Sequence, residues 1–188
     1  MKSGYYSSGT SAGSLHPRVM SIMDYMEEGS VVFDIGCLDG TIGLLLLASG
    51  HAKKVYGIDI VDKWDIEPDP NFHFQKMDIM NTDINRLPEA DHVLFLNVMH
   101  HLIQIDQDRS FWIFNKLLDK YRSIFFDMGS ITENYSQGSN PDWRQTLEDR
   151  FIKDKNLEDD LFSNSEQAIK LLTYPQRGGH RTLWLITK

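Results

Sequence analysis

Two hydrophobic rhythms alternate along the chain. Leu15, Val19, Ile22 and Met26 stand three or four residues apart and form one apolar stripe, which predicts a helix capped by Ser14 and ended by Gly29. The next apolar run, Val31-Val32-Phe33-Asp34-Ile35, does not alternate and is rich in β-branched residues, as a strand buried on both faces would be. Thr41 to Ala48, with Leu44 to Leu47 at its centre, reads as a buried helix stopped at Gly50. Strands follow at Val55-Tyr56-Gly57-Ile58-Asp59, Phe72-His73-Phe74 and His92-Val93-Leu94-Phe95-Leu96. A helix that places Phe111, Phe114, Leu117 and Leu118 on one face ends near Lys120, and Ser123-Ile124-Phe125-Phe126-Asp127 is a fifth strand. Strands that alternate with helices pair in parallel through crossovers, which predicts a doubly wound α/β sheet.

After Gly129 the rhythm breaks. Residues 130 to 164 are polar, with Trp143, Phe151 and Phe162 scattered among charges, and the acidic Glu158-Asp159-Asp160 reads as a solvated face. A short helix is predicted from about Ser165 to Leu172. A turn at Tyr174 to His180 and a last strand at Thr182-Leu183-Trp184-Leu185-Ile186 form a hairpin whose final strand lies antiparallel at or near the sheet edge. The first fourteen residues are rich in Ser and Gly and read as a tail; Tyr5 and Tyr6 leave open whether it is only a tail or also a lid over a pocket.

Composition narrows the classes. With 188 residues and 41% hydrophobic content the chain suits one domain, 1–188, with a core of its own. A net charge of −8 gives no general attraction to phosphate backbones or anionic lipid, so a nucleic-acid partner would need a local basic patch. The lone Cys37 excludes an intramolecular disulfide and a multi-cysteine zinc site, and reads as a small packed residue rather than a nucleophile. No apolar run approaches the roughly 20 residues that span a bilayer, and the N-terminus lacks the apolar middle of a secretory signal. The expectation is a soluble, cytoplasmic protein with no membrane partner.

The densest chemistry is Asp34-Ile35-Gly36-Cys37-Leu38-Asp39-Gly40-Thr41, which follows a strand and opens a helix, where open α/β sheets bind ligands. It is not a dinucleotide fingerprint, because Leu38 stands two residues after Gly36, and it is not a P-loop, because no Gly-Lys-Ser/Thr follows. Asp34 would repel a pyrophosphate and attract an ammonium or hydroxyl group. Asp59 ends the second strand, where a carboxylate accepts hydrogen bonds from a ribose diol. Asp78 follows the third strand and can take a bond from an adenine amino group while Ile79 packs on the ring. Asn97 ends the fourth strand, followed by Met99, His100 and His101.

The set DIGCLDG, GIDI, MDI and NVMHHL, in this order at successive strand ends, resembles the class I S-adenosylmethionine-dependent methyltransferase family over about residues 30 to 128. The terminal hairpin fits that family's antiparallel last strand. The resemblance implies a Rossmann-like methyltransferase fold, α/β and doubly wound, with a mostly parallel seven-stranded sheet and an antiparallel C-terminal hairpin strand. It implies S-adenosylmethionine as cofactor and S-adenosylhomocysteine as product. Asp34, Gly36, Cys37, Leu38, Asp39 and Gly40 would cradle the methionine part, Asp59 and the adjacent Ile60 the ribose, and Asp78 with Ile79 the adenine. Asn97 and Met99 would line the pocket near the sulfonium. Leu38 departs from the middle glycine that many members carry.

Methyl transfer to a hydroxyl benefits from a base, and His100 and His101 are the nearest candidates; packing or capping of the next helix is the competing reading. They are not a metal pair: adjacent helical residues point about 100° apart, and the residue one turn beyond His101 is Ile105. Arg177, His180 and Arg181 read either as an anion grip or as an exposed turn. The expected acceptor is small or saccharide-like, methylated on oxygen, and lies between the tail, the fourth strand end and residues 129–164. An RNA acceptor (a transfer RNA or a 5′ end) is the enzymatic alternative, and a non-catalytic methyltransferase-like partner subunit is the alternative of another class.

Overall fold

In the computed structural model, residues 17–62, 69–131, 133, 142–150, 157–176 and 179–188 are described. The first helix, α1 (Pro17–Asp24), buries Val19 and Ile22 and is followed by β1 (Ser30–Ile35). The next helix, α2 (Thr41–Ala48), leads to β2 (Ala52–Asp59) and β3 (Phe72–Lys76). Two single-turn 3-10 segments, Ile79–Asn81 and Ile84–Arg86, precede β4 (His92–Leu96). Then come α3 (Met99–Ile105), α4 (Gln107–Lys120) and β5 (Ser123–Asp127). The chain closes with α5 (Asp142–Arg150), α6 (Leu157–Leu161), β6 (Gln167–Gln176) and β7 (Gly179–Thr187).

The seven strands form one sheet in the order β3-β2-β1-β4-β5-β7-β6. The pairs among β1 to β5 are parallel, and β7 is antiparallel to both β5 and β6. Successive residues of each central strand feed opposite faces. Phe33, Ile35, Val93, Phe95, Ile124 and Phe126 pack in one apolar cluster with α3, α4 and Trp143 of α5. Val32, Leu94, Leu96 and Phe125 pack in the other with α1 and α2. This two-sided burial is why these strands read as continuous apolar runs. The order reverses between β1 and β4, so their carboxyl ends flank the crevice where such sheets take ligands.

The predicted helix over 165–172 is instead the first half of β6. Ala168, Lys170, Leu171 and Leu172 favour helices locally, but pairing with β7 overrides that preference, and a register shift between Lys170 and Leu172 breaks the two-residue alternation that marks a strand. The strand at Phe72 runs on to Lys76. Ser14, Leu15, Tyr5, Tyr6, Phe151 and Arg177 lie outside the described residues. Among the described residues no helix is long and apolar enough to cross a membrane, and no cluster of three or more His, Cys, Asp or Glu side chains is placed to hold a metal.

Candidate active site

A cavity of about 390 Å³ opens at the carboxyl ends of β1, β2 and β4 and beside the turn that follows β3, within the size range of small-molecule sites. The β1–α2 turn is its floor. Gly36 has a φ of +73°, and a Cβ there would stand 2.3 Å from Val98 Cγ2, so only glycine fits. The Gly36 and Cys37 N–H groups both donate to the Ile58 carbonyl, at 2.8 and 3.0 Å, tying the turn to β2. Leu38 is left-handed at φ +52°, uncommon for a branched side chain, and its N–H donates to Asp59 Oδ2 at 2.9 Å. Asp59 Oδ1 accepts from the Val61 N–H at 2.8 Å. One carboxylate therefore fixes the turns after both β1 and β2 while lining the cavity.

Asp34 also lines the cavity and is only 4% exposed. Burial pushes its carboxyl up to about 7, against the opposing pull of the Arg18 guanidinium, with Asp59 and Asp39 adding to the rise. Asp39 lines the cavity and its Oδ1 caps α2, accepting from the Thr41 N–H and hydroxyl at 3.1 and 2.8 Å. Asp78 accepts from the Met80 N–H at 2.9 Å and from Asn81 Nδ2 at 2.7 Å, which holds it beside Ile79 in the wall. Cys37 is buried in the lining, and burial raises its thiol pKa, as a packed neutral thiol requires. Ile60, Val61 and Ile105 are exposed apolar residues around the opening, at 61%, 40% and 70%.

The structure brings Asp34, Gly36, Cys37, Leu38, Asp39, Asp59, Ile60, Asp78, Ile79, Asn97 and His101 to this cavity, and leaves Gly40, Met99 and His100 out of its lining. Gly40 shapes the turn from behind, with φ +72° and its N–H on the Cys37 carbonyl at 2.8 Å. Met99 is fully buried in the core, because the first residue of α3 faces the sheet while His101, two positions on, turns to the cavity. His100 is buried edge-on against Trp143, and its Nδ1 accepts the Gly129 N–H at 3.0 Å, which puts the ring proton on Nε2. Burial holds its pKa well below the ordinary histidine value, so it stays neutral and braces the loop after β5. The His101 ring is tilted against it at 4.2 Å between ring centres; its own pKa is lowered by burial and by Arg181.

Two buried arginines at or beside the cavity lie outside the strand-end motifs. Arg18 of α1 lines the cavity and is 4% exposed; its Nη1 donates to Asp127 Oδ2 at 2.9 Å, which also accepts the Tyr174 hydroxyl at 2.7 Å. The available signal was a charged residue one turn before Ile22, inside an apolar stripe. Arg181 is no exposed turn: it is 7% exposed, paired with Glu133, and donates to Asn97 Oδ1. His180 of the same hairpin is exposed.

No protein-family model matches the chain, and no curated protein sequence matches it. Solved structures do. A crystal structure of WbdD, described as a bifunctional kinase-methyltransferase, superimposes with a TM-score of 0.68 at 18% identity, over 90% of this chain and 38% of WbdD. Human N-acetylserotonin methyltransferase, crystallised with S-adenosylmethionine, gives 0.59 at 13% identity, over 91% of this chain and 51% of that one. The Bacillus subtilis transfer-RNA methyltransferase TrmK gives 0.51 at 13%, over 93% and 67%.

The chain has the class I S-adenosylmethionine-dependent methyltransferase fold. This methyltransferase-fold chain spans well under half the length of WbdD, and its structural neighbours include methyltransferases named for a small molecule and for a transfer RNA, so the fold alone does not select an acceptor.

Proposed function

We propose that the chain, acting as one methyltransferase domain, transfers the methyl group of S-adenosylmethionine to an oxygen of a small-molecule or saccharide-like acceptor and releases S-adenosylhomocysteine. The observation that carries this reading is the convergence of Asp34, Asp59, Asp78 and Asn97, each at or just beyond a different strand end, on one cavity beside the Arg18 guanidinium. The donor set fits the cofactor. Asp34 and Arg18 offer opposite charges to the ammonium and carboxylate of a methionine moiety. Asp59 keeps a second lone pair on each oxygen for a ribose diol. Asp78 would accept from an adenine amino group, and Ile60, Ile79 and Leu102 would supply apolar wall for the ring.

When bound, S-adenosylmethionine supplies a methyl group already activated by its sulfonium. The protein's part is alignment and exclusion of water. His101, held neutral, receives the proton of an acceptor hydroxyl on its free imidazole nitrogen, while His100 keeps the adjoining loop in place. The described parts of the segment 129–164 would meet the acceptor. Net charge −8 supports a small acceptor over an RNA. The test is label transfer from methyl-labelled S-adenosylmethionine to a panel of polyhydroxylated small molecules and saccharides, with bulk transfer RNA alongside. Labelled small molecules support the reading, labelled RNA replaces it, and cofactor binding with no transfer to any acceptor points to a non-catalytic partner subunit.

Asp34 gives this reading a pH dependence. Its carboxyl carries charge only above about pH 7, so affinity for the cofactor's ammonium rises between about pH 6 and 7.5 and falls toward acid. Asp34→Asn flattens that slope in a titration series. In the ligand-free fold the sign is opposite: a pKa raised from 3.8 to about 7 means this group's contribution to stability falls as pH rises through that window.

A further inference from the structure

Arg181 sits on β7, outside every motif that placed the cavity, yet it determines how one cavity residue presents itself. Its Nε and Nη2 donate to Glu133 Oε1 and Oε2 at 2.6 and 2.9 Å, a two-point pair between buried side chains. Glu133 is braced in turn, with Oε1 accepting the Ser130 N–H at 2.8 Å and its carbonyl accepting Arg144 Nη1 at 2.7 Å. Three N–H of the guanidinium remain, two on Nη1 and one on Nη2, and Nη1 donates to Asn97 Oδ1.

A guanidinium only donates. The oxygen end of the Asn97 carboxamide therefore faces Arg181, and the amide orientation, ambiguous for an isolated asparagine, is decided. The Asn97 backbone is fixed as well, in the left-handed region at φ +61° with its N–H donating to Asp127 Oδ1 at 2.8 Å. Among the described residues no hydrogen bond engages Asn97 Nδ2, and Asn97 lines the cavity. A strained backbone, a clamped carboxamide oxygen and an unused pair of N–H donors meet at one residue.

We propose that Arg181, clamped by Glu133, is a positioning residue that turns the N–H donors of Asn97 toward the acceptor side of the cavity, so that the atom received there is an oxygen, which keeps a spare lone pair while another attacks, rather than an amine nitrogen, which has none to spare. This rests on the S-adenosylmethionine reading above. It deepens that reading in one respect: a hydroxyl oxygen has two lone pairs, so it can accept from Asn97 Nδ2 with one while the other attacks the methyl group and its proton passes to His101, whereas a neutral amine has one lone pair, which the attack itself uses. The acceptor class follows from a buried ion pair between the last hairpin and the loop after β5.

The probes are S-adenosylhomocysteine and sinefungin, in which an amine-bearing carbon replaces the methylsulfonium and aims N–H donors where the methyl group would point. Calorimetric affinities for both are measured on wild type, Asn97→Asp and the double variant Arg181→Met/Glu133→Gln. Asn97→Asp keeps the buried Arg181–Glu133 pair and exchanges the donor face for an acceptor. The double variant removes both members of the buried pair and releases the carboxamide. The ratio of sinefungin to S-adenosylhomocysteine affinity should rise about tenfold in Asn97→Asp, the scale of one charge-assisted hydrogen bond, and should rise severalfold in the double variant. A ratio within about twofold of wild type in Asn97→Asp overturns the inference, as does a parallel loss of both affinities in the double variant, which a merely structural role would give. Failure of wild type to bind S-adenosylhomocysteine overturns the functional reading itself, and is distinguished by that control.

Discussion

Replacing Asp59 with alanine is expected to weaken S-adenosylmethionine and S-adenosylhomocysteine binding by about tenfold to a hundredfold, from the net loss of one hydrogen bond to a charged group at about 1.5 to 3 kcal/mol. The carboxylate stands at the end of β2 and does two things at once. It receives the Leu38 N–H at 2.9 Å and the Val61 N–H at 2.8 Å, so it holds left-handed Leu38 in the β1–α2 turn. Its remaining lone pairs face the cavity, where the diol would lie. Asp59→Asn separates the two roles: one carbonyl oxygen still anchors one of the turns, and the loss should be smaller. Titration of the folded variants is the check, and an unchanged affinity in Asp59→Ala would remove Asp59 from the ribose site.

The largest effect on stability is expected from Asp127→Ala. Asp127 is fully buried and accepts from Arg18 Nη1, the Tyr174 hydroxyl and the Asn97 N–H. Removing it takes a carboxylate from the Arg18 guanidinium, itself 4% exposed, and an acceptor from the Tyr174 hydroxyl and the Asn97 N–H. Breaking a buried pair from one side costs about 3 to 5 kcal/mol, which in a domain of this size lowers Tm by on the order of 10 °C. Thermal unfolding followed by circular dichroism measures it. A shift below about 3 °C would show that Arg18 finds another partner.

What could be read from the sequence was what repeats locally. The apolar runs at 31–35, 92–96 and 123–127 announce strands because both of their faces are covered, and Thr41–Ala48 is bounded by Gly40 and Gly50, both at positive φ. The strand-end carboxylates were visible because a parallel sheet puts every carboxyl end on the same side. What could not be read depends on contacts far apart in sequence. Arg18 meets Asp127, Arg181 meets Asn97 and Glu133, and no window of the chain contains either set. The β6 strand was hidden for the same reason, since its partner β7 overrides good local helix formers. Met99 faces the core although its neighbours Asn97 and His101 face the cavity, a difference of helical direction that an adjacent-residue motif cannot resolve.

The account depends on one cavity receiving S-adenosylmethionine, and calorimetric titration of the purified chain tests that most directly, with S-adenosylmethionine and S-adenosylhomocysteine as ligands and NAD as the control. The prediction is one-site binding of the first two in the micromolar range and no heat from NAD. A folded protein that binds neither, or binds NAD equally well, would contradict it.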